Sequence, residues 1–281
     1  MAMIMETTPS AEHAIFTNIL CGVDGTRVAY EAVRQAASLL SPDGRLTLLA
    51  ATESRGSGKY ETALIAPALA RRALDHARRL ARKAGVDPAG HVLPTGPAQD
   101  VLLDAAGDHS LLAIGAPGMS RLAELLLGGV ATAAAHVLPC SLLVARRSSR
   151  TPGFGDRIMV ASDMSERSDG LVRFAVDMAD ARGASLVLFH APHAEGSHHP
   201  TRIAAQSRQL LERLGDRGRI VVEPGRAAAT IAEAAQREQV SLLLVASRRL
   251  EGLRALGSVS ERLVHSAPCS VLVLRPEDLR A

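Results

Sequence analysis

The chain repeats itself, and that duplication limits its possible folds more than any other feature. Five segments of the first half recur in the same order in the second. NILCGVDGT (18–26) answers to RIMVASDMS (157–165), and LTLLAATES (46–54) to LVLFHAPHA (186–194). LPTGPAQDVLLDAA (93–106) matches VEPGRAAATIAEAA (222–235), and LLAIGAPG (111–118) matches LLLVASRR (242–249). VLPCSLLVARR (137–147) matches SAPCSVLVLRP (266–276). The join, RRSSRTPGFGD (146–156), has the Ser, Gly and Pro content of a linker. A length of 281 residues suits two domains of ordinary size, placed here at 14–147 and 156–276.

Within each half, short apolar runs alternate with amphipathic segments. The runs of the first half are 18–23, 46–51, 91–93, 111–114 and 141–145. Across 28–40, Ala29, Ala32, Val33, Ala36 and Leu40 recur at helical spacing. Continuous apolar strands separated by helices predict a parallel sheet covered on both faces, and 47% hydrophobic residues can fill both cores. Right-handed crossovers make each half an α/β, doubly wound, Rossmann-like unit. Ligands of such sheets lie beyond the carboxyl ends of the strands. Two loops of each half fall there: VDGT (23–26) or SDMS (162–165), and GAPGMSRLAELLLGGV (115–130) or ASRRLEGLRALGSV (246–259). Thr26 and Ser165 can cap the helices that follow.

These loops resemble the universal stress protein family in its tandem, two-domain form. That family carries an acidic residue after strand one, and after strand four the pattern G-x-x-G, nine residues, then G-[ST]. Asp24, Gly115, Gly118 and Gly128 match in the first half with the nine-residue spacing intact, and Asp163, Gly257 and Ser258 match in the second. The likeness covers roughly 15–146 and 156–276. It implies five-stranded parallel sheets in the order 3-2-1-4-5, paired through strand five. The two halves then form a pseudo-dimer within one chain, with a homodimer as the alternative. Some members bind ATP and others do not, and most have no established catalytic activity. The cofactor so implied is ATP with Mg2+, and the partners are an adenine nucleotide and proteins of unknown identity.

Asp24 and Ala51 are then expected near base and ribose, and Gly115, Gly118, Gly128, Gly129 and Val130 around the phosphates. Glycine lets backbone N–H groups approach phosphate oxygens, and the next helix adds its free N–H groups. Gly129 and Ala131 stand where binders tend to carry hydroxyls, each worth about 1 kcal/mol, or roughly fivefold in affinity. The second half keeps Ser258 and Ser260. It has Ala246 and Arg249 for the leading glycines, and seven residues for nine. Arg248 and Arg249 offer side-chain contacts to phosphate instead. Binding is expected in the first half, and weakly. The alternative is that both loops are inherited turns. Asp24 likewise reads as a nucleotide or metal contact, or as a helix cap.

The remaining features exclude more than they assign. A net charge of +3 is near balance, and aromatics make up 2%, so no nucleic-acid partner is expected. No apolar stretch reaches the roughly 20 residues of a membrane span, and MAMIMETTPSAEH is no secretory signal. Cys21, Cys140 and Cys269 have no CxxC spacing, which fits a reducing cytoplasm. Cys140 and Cys269 read as small buried residues or as redox sensors. No Walker A, G-x-G-x-x-G or G-x-S-x-G pattern appears, so no catalytic residue is assigned, and slow ATP hydrolysis stays as an alternative to plain binding. HAPHAEGSHH (190–199) reads as a polar loop or as zinc ligands, with no partner to complete a metal site. ARRALDHARRLARKAG (70–85) reads as the exposed side of a core helix or as a polyanion contact. Its apolar face is Ala73, Ala77, Leu80, Ala81 and Ala84.

Overall fold

A computed structural model describes residues 16–52, 67–93, 97–116, 129–146, 153–192, 200–247 and 258–279. The first half runs β1 (Phe16–Gly22), α1 (Arg27–Leu39), β2 (Leu40–Ala51), α2 (Pro67–Lys83), β3 (Ala89–Leu93), α3 (Ala98–Ala106), β4 (Leu111–Gly115), α4 (Gly129–Val137) and β5 (Ser141–Ala145). The second half runs β6 (Arg157–Ala161), α5 (Glu166–Arg182), β7 (Ser185–His190), α6 (Pro200–Leu214), β8 (Gly218–Val222), α7 (Ala227–Arg237), β9 (Leu242–Ala246), α8 (Ser258–Ser266) and β10 (Ser270–Leu274). Short 3-10 turns follow α6 and β10.

The ten strands form one sheet in the order β3-β2-β1-β4-β5-β10-β9-β6-β7-β8. Each half is parallel and ordered 3-2-1-4-5, and the halves meet where β5 and β10 pair antiparallel. Leu143 faces Leu272 at the centre of that pairing, so a pseudo-twofold axis passes between them. The strands read as apolar runs because both faces are covered. Alternate residues feed two cores: Ile19 and Cys21 pack under α1 and α2, while Leu20 packs under α3 and α4. Both cores continue across the seam into the second half.

The seam also carries reciprocal polar contacts. The Arg146 amide donates to Ser270 Oγ (3.0 Å), and the Arg275 amide donates to Ser141 Oγ (3.1 Å). These are equivalent residues of the two PCS steps. Gln35 of α1, 1% exposed, donates to the Arg146 carbonyl (3.0 Å) and accepts from Ser270 Oγ (2.8 Å). Phe16 meets Phe174 across the seam at 6.3 Å between rings.

Three sequence expectations need correction. β2 begins at Leu40, directly after α1, and not at 46. Leu40, expected on the helical face of 28–40, thus opens the strand, and a register shift against β1 between Phe16 and Asn18 absorbs Ser41, Pro42, Asp43 and Gly44. Ala84 lies beyond α2 and is exposed, and Ala70 and Leu74 complete the buried face in its place. Ser165 sits at the N-cap of α5 but makes no side-chain capping bond. Its hydroxyl donates instead to Asp163 Oδ1 (2.5 Å).

All three cysteines are free and buried. Burial pushes the Cys140 and Cys269 thiols up to about 12, and burial together with Asp24 pushes Cys21 higher still. A protonated thiol is a poor nucleophile. A disulfide-exchange reagent at pH 8 should therefore titrate no thiol in the native chain and three after denaturation. A fast native reaction at any cysteine would contradict this.

Candidate functional site

The order 3-2-1-4-5 reverses the winding between β1 and β4. α1 and α2 lie on one face and α3 and α4 on the other, so a crevice opens at the carboxyl ends of β1 and β4. Cys21 pairs with Leu48 of β2 and with Ala113 of β4. Three residues further along each chain stand Asp24, Ala51 and Ala116. The strand register therefore brings Asp24, Ala51 and Gly115 to one rim.

Asp24 is exposed. Its Oδ1 accepts from the Thr26 amide (2.8 Å) and the Thr26 hydroxyl (2.6 Å). Thr26 Oγ1 then accepts from the Ala29 amide (3.2 Å) as the N-cap of α1. The carboxylate thus braces the capping residue, and Thr26 itself makes the cap. Gly25 between them has φ +84°, a left-handed turn that glycine adopts without strain.

Gly115 has a different constraint. A Cβ there would stand 2.4 Å from the Val28 carbonyl carbon and 2.5 Å from the Ala29 nitrogen. The end of β4 and the first turn of α1 meet backbone to backbone, and a side chain has no room. Gly129 opens α4 and is exposed, with Gln99 Oε1 3.2 Å from where its Cβ would be. Val130 and Ala51 are half-buried. Gly118 and Gly128 lie outside the described residues, as do Gly257, Arg248, Arg249, His193, His198 and His199.

The second half uses the same rim differently. Ser162 Oγ donates to Gln206 Oε1 (2.8 Å) and lies 2.9 Å from Ser168 Oγ. Gln206 Nε2 donates to Asp169 Oδ1 (2.6 Å), and His190 Nδ1 lies 2.9 Å from the Ser162 carbonyl. Ser162, Ser168, His190 and Gln206 are all buried. The aligned first-half positions hold Val23, Ala29 and Ala50, and Ala73 matches Gln206 as the seventh residue of its helix. A polar knot therefore fills one rim, and small apolar side chains line the other. Met164, left-handed at φ +59° and buried, stands in place of Gly25. Sequence reading missed Ser162, Ser168 and Gln206, although polar residues at the apolar positions of a repeat are a readable signal. It also missed Tyr30, which packs at a tilt against His76 with ring centroids 4.4 Å apart. The Tyr30 hydroxyl lies 3.9 Å from a Cβ built on Gly25.

In the second half the Ser260 hydroxyl donates to the Ala246 carbonyl (2.9 Å), tying α8 to the end of β9. The equivalent position in the first half is Ala131, so α4 has no such tie to β4. Among the described residues no group of three His, Cys, Asp or Glu could hold a metal ion, and no helix is long and apolar enough to cross a membrane.

The model of the universal stress protein family matches residues 16–146 and again 155–275. The chain belongs to the universal stress protein family. A universal stress protein of Mycolicibacterium smegmatis is 28% identical over 291 residues, which cover 92% of this chain and 97% of that one. A universal stress protein of Mycobacterium tuberculosis is 27% identical over 182 residues, 60% of this chain and 63% of its own. In fold, the crystal structure of a universal stress protein from Archaeoglobus fulgidus aligns at TM-score 0.68 and 17% identity, covering 95% of this chain and 98% of that one. A putative universal stress protein from Pseudomonas aeruginosa aligns at 0.64 and 18% identity, covering 95% and 96%. The tandem of universal stress protein domains fits the pseudo-dimer seen here, with the pairing of β5 and β10 made inside one chain.

Proposed function

We propose that the first half is a regulatory nucleotide site that holds ATP with Mg2+, and that the second half serves as its structural partner. The carrying observation is the Asp24 carboxylate, exposed at the switch point with Oδ1 committed to its own loop. Oδ2 makes no hydrogen bond among the described residues and can accept one from a ribose hydroxyl or a base amine. Gly129 supports the phosphate end, since it is exposed at the first position of α4 and carries no side chain. The small side chains of Val23, Ala29, Ala50 and Ala73 leave this rim without the polar knot of the second. Three buried free thiols suit a reducing cytoplasm, where ATP is abundant.

Calorimetry should find one ATP per chain. Gly129→Ser restores a hydroxyl and should tighten binding roughly fivefold, because only the flexible end of Gln99 must yield. Asp24→Ala should weaken it about tenfold, the effect of roughly 1.4 kcal/mol. Two sites per chain, or an affinity indifferent to both changes, would reject this location.

One observation favours a second reading, an interaction module that works through protein partners without nucleotide. Gly115 is already required by its contact with Val28 and Ala29, so its presence needs no phosphate. No thermal shift at millimolar ATP would select that reading.

A further inference from the structure

The outer helical layers of the two halves occupy matching places but differ in charge. α5 and α6 carry six basic and five acidic side chains, while α1 and α2 carry eight and two. In the second half carboxylates of α5 answer Arg202, Arg213 and, in the turn after α6, Arg217, while Arg173 and Arg208 make no ion pair among the described residues. Arg202 reaches Glu166 (2.7 Å) and Asp169 (2.9 Å). Arg213 reaches Asp177 (3.5 Å) and Asp180 (3.1 Å), and Arg217 reaches Asp180 (2.8 Å). Counted from the matched Asp24 and Asp163, the positions of Glu166, Asp169 and Asp177 fall in α1 on Arg27, Tyr30 and Ser38. The carboxylates that would neutralise α2 are therefore absent from its neighbour. Arg78 and Arg82 find Asp75 (3.5 Å) and Asp87 (2.7 Å). Arg71, Arg72, Arg79 and Lys83 are exposed and make no ion pair among the described residues.

We propose that the α1–α2 layer docks on the phosphodiester backbone of duplex nucleic acid without reading its sequence. Arg71 and Lys83 stand 12 residues apart, so the cations span roughly 18 Å of helix at 1.5 Å per residue. Guanidinium groups match phosphate oxygens in geometry as well as charge. Backbone contacts of this kind need cations and no base readout. A lipid surface fits less well. Adsorption of a helix to a bilayer uses a buried apolar face besides its charge. α2 spends Ala70, Ala73, Leu74, Ala77 and Ala81 on the core and exposes Leu69 alone among its large apolar side chains. The expectation of no nucleic-acid partner came from a net charge of +3 and few aromatics. That net figure averages a cationic layer with a nearly neutral one. Aromatics serve stacking on single strands, which a duplex backbone does not require.

The test is fluorescence anisotropy of a labelled DNA duplex of mixed sequence, titrated with the full chain at several salt concentrations. Binding should weaken as salt rises, with a log–log slope of roughly −0.9 per phosphate neutralised. Replacing Arg71, Arg72, Arg79 and Lys83 together by alanine should flatten the slope by roughly three to four. The melting temperature should not change, because these side chains are exposed. Replacing Arg208 of α6 by alanine should leave the slope as it was. Three outcomes would overturn the proposal: no binding at low salt, a slope that survives the fourfold substitution, or tighter binding to phosphatidylserine vesicles than to the duplex.

Discussion

Replacing Arg146 with alanine is expected to destabilise the chain by about 3 kcal/mol. Arg146 follows β5 directly at the seam and is 2% exposed. Its guanidinium donates to the carbonyls of Cys269 (3.3 Å), Val264 and His265 (3.3 Å). No carboxylate pairs with it among the described residues. The last turn of α8 supplies the compensation, since its carbonyls carry the negative end of the helix dipole. Desolvation pushes Arg146 down to about 10, partly offset by Cys269, so it remains cationic at neutral pH. Alanine would keep the backbone bonds to Ser270 and Gln35 but leave three carbonyls unpaired. Each such group costs about 1–3 kcal/mol, and relief of the buried charge returns part of that sum. At about 2–4 °C per kcal/mol, the melting point should fall by about 6–12 °C. Arg275, the pseudo-equivalent residue, also donates to a carbonyl across the seam, that of Pro139, but it pairs with Glu277 at 2.9 Å and is less buried. Its alanine variant should cost about 1 kcal/mol. Equal losses at the two positions would refute the distinction drawn between them.

The contrast between these arginines marks the limit of sequence reading. VLPCSLLVARR and SAPCSVLVLRP align residue for residue, and from the alignment both strands and both cysteines were legible, while the pairing of the halves was implied only by the family resemblance. That one arginine is buried against α8 while the other reaches its own Glu277 was not, because the difference arises from what crosses the seam. Gln35 on α1 faces Ser270, whereas the α5 residue in its place is Phe174, which packs on Phe16. Repeats announce what the halves share, and their divergence is settled in three dimensions. The site shows the same limit. Asp24 and Thr26 were readable because a side-chain turn before a helix is a local device. Gln206 was not, because it meets Ser162 from 44 residues away. The early part of β2 was hidden for a local reason, since Pro42, Asp43 and Gly44 carry turn chemistry that a shifted ladder tolerates.

Replacing Gly115 with alanine should destabilise the chain by about 3 kcal/mol in the absence of any nucleotide. Added volume in a packed site costs about 1–3 kcal/mol, and the upper end applies because the neighbours are backbone atoms of Val28 and Ala29 that cannot rotate away. Relief requires the first turn of α1 to shift, which also displaces the Thr26 cap and the Asp24 brace. The melting point should fall by about 6–12 °C, and any ATP affinity should fall with it. The second half provides the control, since Ala246 occupies the same strand position there. Ala246→Gly should cost no more than about 1 kcal/mol, the ordinary penalty of glycine in a strand. These measurements separate the two reasons for a glycine at this position. If Gly115→Ala keeps the melting point and loses ATP alone, the residue serves the phosphates. If it loses stability first, the leading glycine of the loop is held by packing against α1. Nucleotide binding would then rest on Asp24 and on Gly129 at the start of α4.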